Sequence, residues 1–293
     1  MIRLLITGVG GQLGTEVFNL SSHENFGIYF AYEPKKPNEN LFEVDIRDRN
    51  KVFDIVKKIR PNWIVHCAAA TKVDWCETHK EEALGINFSG TKNLIDAAKE
   101  VNSRFLYVST DYVFDGERGD YKETDETNPI NFYGKTKLDG ELYVKNFENY
   151  LILRTSHMYS PIGDNFALWS IGKLKSGTVE CPNDMISSPT LASELAEAIL
   201  KSIEKELNGV YHSAGNEPIS RYGFAKKIAK IFGYEDSGIR AVKMEAINFT
   251  AKRPKNSSLN ISKILKEGII FSDVETCLEK LKTQMTDSDT RLV

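Results

Sequence analysis

The stretch ITGVGGQLG, residues 6–14, decides the fold, because an apolar strand runs into Gly8, Gly11 and Gly14 and then into the helical pattern TEVFNLSS. Glycine lets the backbone turn tightly and approach a ligand without a Cβ, and the helix N-terminus presents free N–H groups to a diphosphate. The spacing is G-x-x-G-x-x-G, which differs from the commoner G-x-G-x-x-G, and Gly10 supplies an extra glycine. Because this turn follows the first strand of a chain in which strands and helices alternate, it predicts dinucleotide binding.

The first half of the chain alternates short apolar runs with longer amphipathic segments. IRLLIT, GIYFAY, NLFEV, NWIVHC, RFLYVS and YLILR are predicted strands, and helical patterns such as KVFDIVKKI (51–59) and the long segment 80–101 lie between them. Strands that are apolar throughout are typical of a parallel sheet buried on both faces. The sequence therefore predicts an α/β fold with a doubly wound parallel sheet.

After about Thr155 the regular alternation of strands and helices ends, because turn-rich segments separate single helices such as LASELAEAILKSIEK and RYGFAKKIAKIFG. This pattern predicts a second, smaller lobe over one end of the sheet. We expect residues 1–156, together with about 187–215, to form the dinucleotide-binding domain. We expect about 157–186 and 216–285 to form the smaller lobe, with 286–293 as a polar tail.

Composition excludes several classes of protein. The 293 residues are 41% hydrophobic and 27% charged with a net charge of −3, which gives no reason to expect nucleic acid or an anionic membrane as the main partner. The N-terminus lacks signal-peptide features, and no apolar run approaches the length of a membrane span. The four cysteines are scattered without metal-type spacing. We therefore expect a cytoplasmic protein without a catalytic metal.

Two further segments follow predicted strands at the same edge of the sheet. HCAAATKVD contains Ala68, Ala69 and Ala70, whose small side chains would let a flat ligand lie against the backbone. STDYVFDG places Thr110 and Asp111 at the carboxyl edge, where open α/β sheets bind ligands. The alternative is that Ser, Thr and Asp only cap helices and turns there.

The segment NFYGKTKLDGE, residues 131–141, otherwise has the pattern of a polar surface helix, but it holds Tyr133 and Lys137 one helical turn apart. Side chains at i and i+4 share a face of a helix, and a nearby ammonium favours the phenolate. The pair could therefore donate and accept a proton. The alternative is an aromatic ring packed on the core beside a solvated lysine.

The glycine motif, the AAA turn, STDYVFDG and YGKTKLDGE together resemble the extended short-chain dehydrogenase/reductase superfamily, whose signature is Y-x-x-x-K. More narrowly, STDYVFDG, P-x-N-x-Y-G-K-T-K-x-x-G-E, LRTS, SPT and RPKNSSL resemble the dTDP-4-dehydrorhamnose reductase family. These blocks extend from residue 2 to about residue 280. The resemblance implies a Rossmann-type sheet, a smaller α/β substrate-binding lobe and a reductase that uses a nicotinamide cofactor.

The resemblance also implies the roles of individual residues. Tyr133 would protonate the substrate carbonyl, Lys137 would hold the nicotinamide ribose and lower the tyrosine pKa, and Thr110 would orient the carbonyl, with Asn87 close to this relay. The cofactor would contact Gly8, Gly11, Gln12, Leu13, Gly14, Asp45, Ile46, Ala68, Ala69, Ala70, Tyr133 and Lys137. The substrate would contact Thr71, Val73, Thr110, Asp111, Tyr112, His157 and Arg253.

Cofactor choice stays open between NADPH and NADH. Glu33 would repel a 2′-phosphate, whereas Lys35 and Lys36 would attract one. Some members of the family bind magnesium between subunits, and Glu16, Glu194 and Glu275 fall at similar places, although surface glutamates are abundant. A homodimer is a further expectation.

The chain departs from the family pattern at two places near the sugar. Where the family has R-T-S-W-x-Y, this chain has RTSHMY with His157, and DMISSPT stands where D-Q-x-G-x-P-T is usual. Arg253, Asn256 and Ser257 match residues on the nucleotide-sugar side, but a polar packing loop would explain the last two equally well. We therefore expect a nucleotide sugar that differs from the rhamnose precursor to be tolerated or preferred.

Two classes of function follow. The first is an enzyme that reduces a nucleotide-linked 4-keto sugar, most directly dTDP-4-dehydro-L-rhamnose to dTDP-L-rhamnose. A reductase or epimerase that acts on another nucleotide sugar is the alternative within this class. The second is a non-catalytic regulatory or binding subunit of the same fold, similar to the beta subunit of methionine adenosyltransferase. The intact Thr110–Tyr133–Lys137 set favours catalysis.

Overall fold

The computed structural model describes residues 2–30 and 39–286. The strands in chain order are β1 (Arg3–Thr7), β2 (Glu24–Tyr29), β3 (Leu41–Glu43), β4 (Trp63–His66), β5 (Arg104–Thr110), β6 (Tyr150–Thr155), β7 (Met158–Tyr159), β8 (Val179–Pro182), β9 (Ile186–Ser187), β10 (Thr190–Leu191), β11 (Gly209–His212), β12 (Ile219–Ser220) and β13 (Ile239–Val242).

The α-helices are α1 (Gln12–Leu20), α2 (Arg49–Ile59), α3 (Val73–Thr78), α4 (Lys80–Leu84), α5 (Thr91–Val101), α6 (Phe132–Val144), α7 (Phe166–Ser176), α8 (Ala192–Glu204), α9 (Arg221–Phe232), α10 (Ser262–Lys266) and α11 (Val274–Thr286). A π-helical segment, Gly85–Gly90, joins α4 to α5, and short 3₁₀ turns occupy Asp111–Val113, Asp236–Gly238 and Met244–Ala246.

The described residues form a seven-stranded sheet in the order β11-β6-β5-β4-β1-β2-β3, and each neighbouring pair is parallel. The chain builds outward from β1 to β3 and then returns to β4 on the other side of β1. The carboxyl ends of β1 and β4 therefore flank the switch point, where doubly wound sheets bind their ligands. The predicted α/β fold with a Rossmann-type sheet is confirmed.

Both faces of this sheet are covered, which explains why its strands are apolar throughout. Successive strand residues point to opposite faces, so that Leu4 and Ile6 pack with α1 and α8 while Leu5 packs with α2 and α5. A third cluster, formed mainly by α7, α9 and α11 around Phe224 and Leu278, is the core of the smaller lobe. Three strand pairs, β7–β10, β8–β13 and β9–β12, accompany it.

Strand β11 and helix α8 come from residues beyond the first half of the chain, yet they belong to the large sheet and its cover. We therefore propose that residues 1–156 with about 187–215 form the dinucleotide-binding domain, and that about 157–186 and 216–285 form the smaller lobe. The predicted tail, 286–293, lies outside the described residues except for Thr286, which ends α11.

Helix α6 differs from the pattern of a polar surface helix, because much of its polar surface is buried. Thr136, Lys137 and Glu141 are all inaccessible to solvent or nearly so. Gly140 permits this close packing, since a Cβ at that position would lie 2.4 Å from the hydroxyl oxygen of Tyr107 on β5. These three polar residues of α6 are therefore part of the interior of the protein.

Within residues 2–30 and 39–286, helices of the length and apolar character that a bilayer crossing requires are absent.

Candidate active site

A large cleft opens at the carboxyl edge of the sheet, between the sheet and the smaller lobe. Its volume is about 1920 Å³, well above the roughly 300–1,000 Å³ of a typical small-molecule site, so it has room for two nucleotide-sized ligands. Every residue predicted to bind cofactor or substrate lines this cleft: Gly8, Gly11, Gln12, Leu13, Gly14, Asp45, Ile46, Ala68, Ala69, Ala70, Thr71, Val73, Thr110, Asp111, Tyr112, Tyr133, Lys137, His157 and Arg253.

The glycine-rich turn begins where β1 ends and leads directly into α1. Gly8 has a φ of +78°, and a Cβ there would lie 2.9 Å from the backbone nitrogen of Ala68. The turn is fixed against β2, because the N–H groups of Gly8 and Val9 both donate to the Ile28 carbonyl, at 2.9 and 3.1 Å. A residue other than glycine at position 8 would therefore be strained and would collide with the backbone after β4.

Tyr133 and Lys137 lie one turn apart on α6, below the end of β5. Asn131 caps the helix by accepting a hydrogen bond from Gly134 N at 2.9 Å, which fixes the start of the reactive turn. The Lys137 ammonium is buried, and its Nζ lies 4.0 Å from the centre of the Tyr107 ring. The two predicted residues thus lie on the same face of α6, which is partly buried.

Burial dominates the electrostatics of this pair. It lowers the pKa of Lys137 to about 7, with the Glu141 carboxylate acting in the opposite direction. It also raises the pKa of the Tyr133 phenol well above its usual value, although a hydrogen bond with Thr110 lowers it in part. The phenol is therefore neutral and protonated at pH 7, and the lowering of its pKa by Lys137 stays a prediction.

Asn87 supports this region from the π-helical segment between α4 and α5. Its side chain accepts a hydrogen bond from Ala70 N at 2.8 Å and donates to Ala70 O at 3.1 Å and to Thr136 Oγ1 at 3.0 Å. One amide thus connects the turn after β4 to helix α6. The sequence predicts one long helical pattern over 80–101, and the wider π turn within it allows Asn87 to reach inward.

Asp111 lies at the centre of a group of hydroxyls contributed by three segments. Its carboxylate accepts hydrogen bonds from Thr110 Oγ1 at 3.0 Å, from Ser156 Oγ at 2.8 Å and from Ser257 Oγ at 2.5 Å. Burial raises the pKa of Asp111, and the three hydroxyls oppose that rise. Thr110 Oγ1 also accepts from Tyr112 N at 3.2 Å, so its own proton is directed to Asp111 in this structure.

A buried ion pair lies below the reactive turn and was not predicted. Arg154 on β6 donates two hydrogen bonds to Glu141 on α6, Nε to Oε1 at 2.9 Å and Nη2 to Oε2 at 2.7 Å, and Ser109 Oγ donates to Oε1 at 2.6 Å. Both charged side chains are almost completely inaccessible. The pair fixes α6 against the two strands whose ends form the site.

His157 and Arg221 meet on the far wall of the cleft. Arg221, the first residue of α9, places Nη1 2.5 Å from His157 Nδ1 and also contacts Nε2. Burial, and then the neighbouring guanidinium, lower the pKa of His157 well below its usual value. Arg221 was not predicted as a site residue, since RYGFAKKIAKIFG has only the pattern of an amphipathic helix.

The other arginine of this wall is paired. Arg253 Nη2 lies 2.9 Å from Asp74 Oδ2, and the second carboxylate oxygen of Asp74 accepts from Ala251 N at 2.8 Å. Of the two residues with open interpretations, Ser257 reaches Asp111. Asn256 instead accepts from the backbone and hydroxyl of Ser258, which is a packing role outside the cleft lining.

The magnesium hypothesis finds no support in the described residues. Glu194 accepts a hydrogen bond from Lys280 at 2.7 Å, and Glu275 accepts one from Lys230 at 2.9 Å. Glu16 is buried in α1, and residues 2–30 and 39–286 contain no cluster of three or more side chains suited to a metal ion. The cofactor-selecting residues Glu33, Lys35 and Lys36 lie outside the described residues.

The chain is similar to known proteins over nearly its whole length. The family model described as RmlD substrate binding domain matches residues 2–286. A dTDP-4-dehydrorhamnose reductase from Aggregatibacter actinomycetemcomitans is 34% identical over 96% of this chain and 99% of its own. The methionine adenosyltransferase 2 subunit beta of Bos taurus is 31% identical over 91% of this chain and 83% of its own.

Among solved structures, dTDP-4-dehydrorhamnose reductase from Bacillus anthracis str. Ames, in complex with NADP, has a TM-score of 0.88 at 32% identity and covers 97% of this chain and 99% of its own. The match of a family model to nearly the whole chain, with relatives above 30% identity, shows the family. This chain belongs to the RmlD substrate binding domain family, that of the dTDP-4-dehydrorhamnose reductases, within the extended short-chain dehydrogenase/reductase superfamily.

Proposed function

We propose that this protein reduces a nucleotide-linked 4-keto sugar, most directly dTDP-4-dehydro-L-rhamnose to dTDP-L-rhamnose, with NADPH or NADH. The observation that carries the proposal is the meeting of Thr110, Tyr133 and Lys137 in one cleft beside the glycine-rich turn. The dTDP-4-dehydrorhamnose reductases among its relatives, one of them in complex with NADP, support the same activity.

The residues of the cleft fit a nicotinamide dinucleotide. Gly8 lets the turn after β1 pack directly against the backbone of Ala68, and the N-terminus of α1 begins a few residues later, where its free N–H groups can face a diphosphate. Asp45 and Ile46 would flank the adenine, the three alanines 68–70 would lie along the cofactor, and Lys137 would hold the nicotinamide ribose. When bound, the reduced cofactor supplies the hydride.

Tyr133 would supply the proton. A protonated phenol at neutral pH is the form that can donate to the carbonyl oxygen as the alkoxide develops. The Lys137 ammonium then stabilises the phenolate that remains, because an opposite charge one helical turn away favours the charged form. To orient the carbonyl, the Thr110 hydroxyl must turn its proton from Asp111 to the substrate.

The regulatory alternative rests on relatives named as methionine adenosyltransferase 2 subunit beta. A purely regulatory subunit has no need of a buried lysine, since burial lowers the pKa of its ammonium to about 7 and so costs folding free energy. The presence of Lys137 below Tyr133 therefore favours the reductase.

The test is to mix purified protein with dTDP-4-dehydrorhamnose and either NADPH or NADH, and to follow absorbance at 340 nm. We expect oxidation that depends on the sugar and is lost in Tyr133→Phe. The same two titrations give the cofactor preference. Cofactor binding without oxidation, for this ketone and for related nucleotide 4-keto sugars, would favour the regulatory alternative.

We also propose a cytoplasmic location and a homodimer. None of the four cysteines forms a disulfide, which fits a reducing compartment. Size-exclusion chromatography with light scattering tests the homodimer, and a monomer at micromolar concentration would contradict it.

A further inference from the structure

Arg221 is a cation at the cleft wall whose charge the mechanism does not use. Its backbone N–H donates to the Met185 carbonyl at 3.1 Å, and Ser220 caps the helix that starts with it by accepting from Gly223 N at 3.1 Å. The position of Arg221 is thus fixed at both the strand β9 region and the start of α9. Its guanidinium lines the cleft.

No carboxylate neutralises this guanidinium among the residues that the structure describes. Arg253, on the same wall, is paired with Asp74 at 2.9 Å, whereas no ion pair in the described ranges includes Arg221. The Asp111 carboxylate acts on it through space but already accepts three hydroxyl hydrogen bonds. Arg221 therefore has N–H donors left for a ligand.

His157 holds the guanidinium in place. A guanidinium can only donate, and its Nη1 contacts both ring nitrogens, so the nitrogen that carries no proton must accept. The imidazole ring packs with Phe166 at 5.7 Å and Phe224 at 6.3 Å between ring centres, and the Arg221 Cζ lies 4.6 Å from the centre of the Phe166 ring. The two side chains therefore hold each other against the aromatic rings, and both line the cleft.

The groups near Arg221 indicate the part of the substrate that it would meet. The Asp111 carboxylate favours the charged form of Arg221, and the next residue, Tyr112, places its ring 6.0 Å from the Tyr133 ring. Under the proposed function, the ketone must lie at Tyr133. A group that is near Tyr112 and Asp111 would therefore contact the sugar.

We propose that Arg221 is a specificity-determining residue that donates hydrogen bonds to an oxygen-bearing substituent of the sugar, and that His157 is a positioning residue that acts through it. The inference rests on the proposed function. The favoured substrates are nucleotide-linked hexoses that keep this oxygen, and analogues in which it is replaced by hydrogen bind less well because the guanidinium loses its partner. His157 then shapes sugar selectivity through Arg221 rather than by touching the sugar.

The experiment compares binding of dTDP, dTDP-glucose and its 2-deoxy, 3-deoxy and 6-deoxy analogues by calorimetry, with NADPH present. None of these sugars carries a ketone, so no turnover interferes. The proteins are wild type, Arg221→Leu, His157→Phe, which removes the acceptor, and His157→Gln, which restores one. Lys226→Leu is the matched control, because Lys226 lies on the same helix and pairs with Asp236 at its surface.

In the wild type and in Lys226→Leu, we expect one deoxy analogue to bind about 10–100-fold more weakly than dTDP-glucose, the usual effect of a hydrogen bond to a charged group. That ratio should fall to near one in Arg221→Leu, fall partly in His157→Phe and recover in His157→Gln. Affinities for NADPH and for dTDP alone should be the same in all five proteins.

Two outcomes would overturn the inference. A loss of dTDP affinity in Arg221→Leu as large as the loss for dTDP-glucose would show that Arg221 contacts the diphosphate instead. Equal deoxy penalties in wild type and Arg221→Leu, or no penalty in either, would remove Arg221 from sugar recognition. The proposed function is tested separately by reduction of a 4-keto sugar at 340 nm with wild-type protein, so its failure is distinguishable from either outcome.

Discussion

Replacing Lys137 by methionine should stabilise the ligand-free protein even though it removes a group that the reaction needs. Burial lowers the pKa of Lys137 from 10.5 to about 7. At about 1.36 kcal/mol per pKa unit, holding the ammonium in its charged form costs about 5 kcal/mol below pH 7. Methionine keeps the linear shape but loses the contact with the Tyr107 ring, worth about 2 kcal/mol, so the net gain is about 3 kcal/mol.

The dependence on pH identifies the cause. The unfolded lysine binds its proton up to about pH 10.5 and the folded one only up to about pH 7, so the penalty is complete below pH 7 and disappears as the pH rises towards 10.5. The advantage of the variant should therefore shrink by up to about 1.4 kcal/mol per pH unit across that window. All other titrating groups are common to both proteins and cancel in the difference.

The assay is urea unfolding of wild type and Lys137→Met at pH 6, 7.5 and 9, without cofactor. Lys135→Met, an exposed lysine on the same helix, is the control and should change the free energy of unfolding by less than about 0.5 kcal/mol. A variant that is no more stable than wild type at pH 6, or a difference that is the same at all three pH values, would refute the reasoning. The ammonium would then be adequately solvated in the folded protein.

The remaining predictions concern activity and the buried ion pair. Lys137→Met should also lower both turnover and NADPH affinity, measured by fluorescence, whereas Tyr133→Phe should keep NADPH affinity and lower turnover by about 10²–10⁴-fold; near-normal turnover would remove the phenol from the mechanism. Glu141→Leu should lower the free energy of unfolding by about 3–5 kcal/mol, because it leaves the buried Arg154 guanidinium without its partner. The double variant with Arg154→Leu should regain much of this loss, and additive losses would contradict the reasoning. His157→Trp should shift the ratio of kcat/KM values towards dTDP-4-dehydrorhamnose by about 1–3 kcal/mol over a panel of 4-keto sugars, and an unchanged ratio would exclude a role in selectivity.

The large sheet could be predicted because its information is local. Six of its seven strands overlap apolar runs that were predicted, although β2 begins at Glu24, three residues before the predicted GIYFAY. The glycine-rich turn identified the first strand. The seventh, β11 (Gly209–His212), is four residues long and lacks such a run, so only its pairing with β6 makes it a strand. The burial of α6 was equally invisible, because it depends on Gly140 meeting the Tyr107 hydroxyl 33 residues earlier in the chain.

In the site, too, local motifs could be predicted and tertiary contacts could not. Residues carried by compact motifs, such as Thr110 and Tyr133, were predicted and line one cleft. Arg221 was missed, because its significance arises only from its contact with His157, 64 residues away. The three hydroxyls on Asp111 likewise come from three separate segments. Motifs identify the groups that react, whereas the groups that hold and tune them depend on tertiary proximity.

The buried charges below the cleft form a sequence of alternating sign, and this order explains how Lys137 can be kept there. The Glu141 carboxylate, one turn along α6, raises the pKa of Lys137 and so offsets part of the cost of burial. Glu141 is itself held by two hydrogen bonds from Arg154 and one from Ser109, so it cannot turn to solvent. Arg154 and Ser109 contribute no group to the reaction, yet they fix the carboxylate that supports the reactive lysine. Strands β5 and β6, whose ends line the cleft, thus also carry the buried partners of Glu141. Through Glu141 they help to keep the Lys137 ammonium charged.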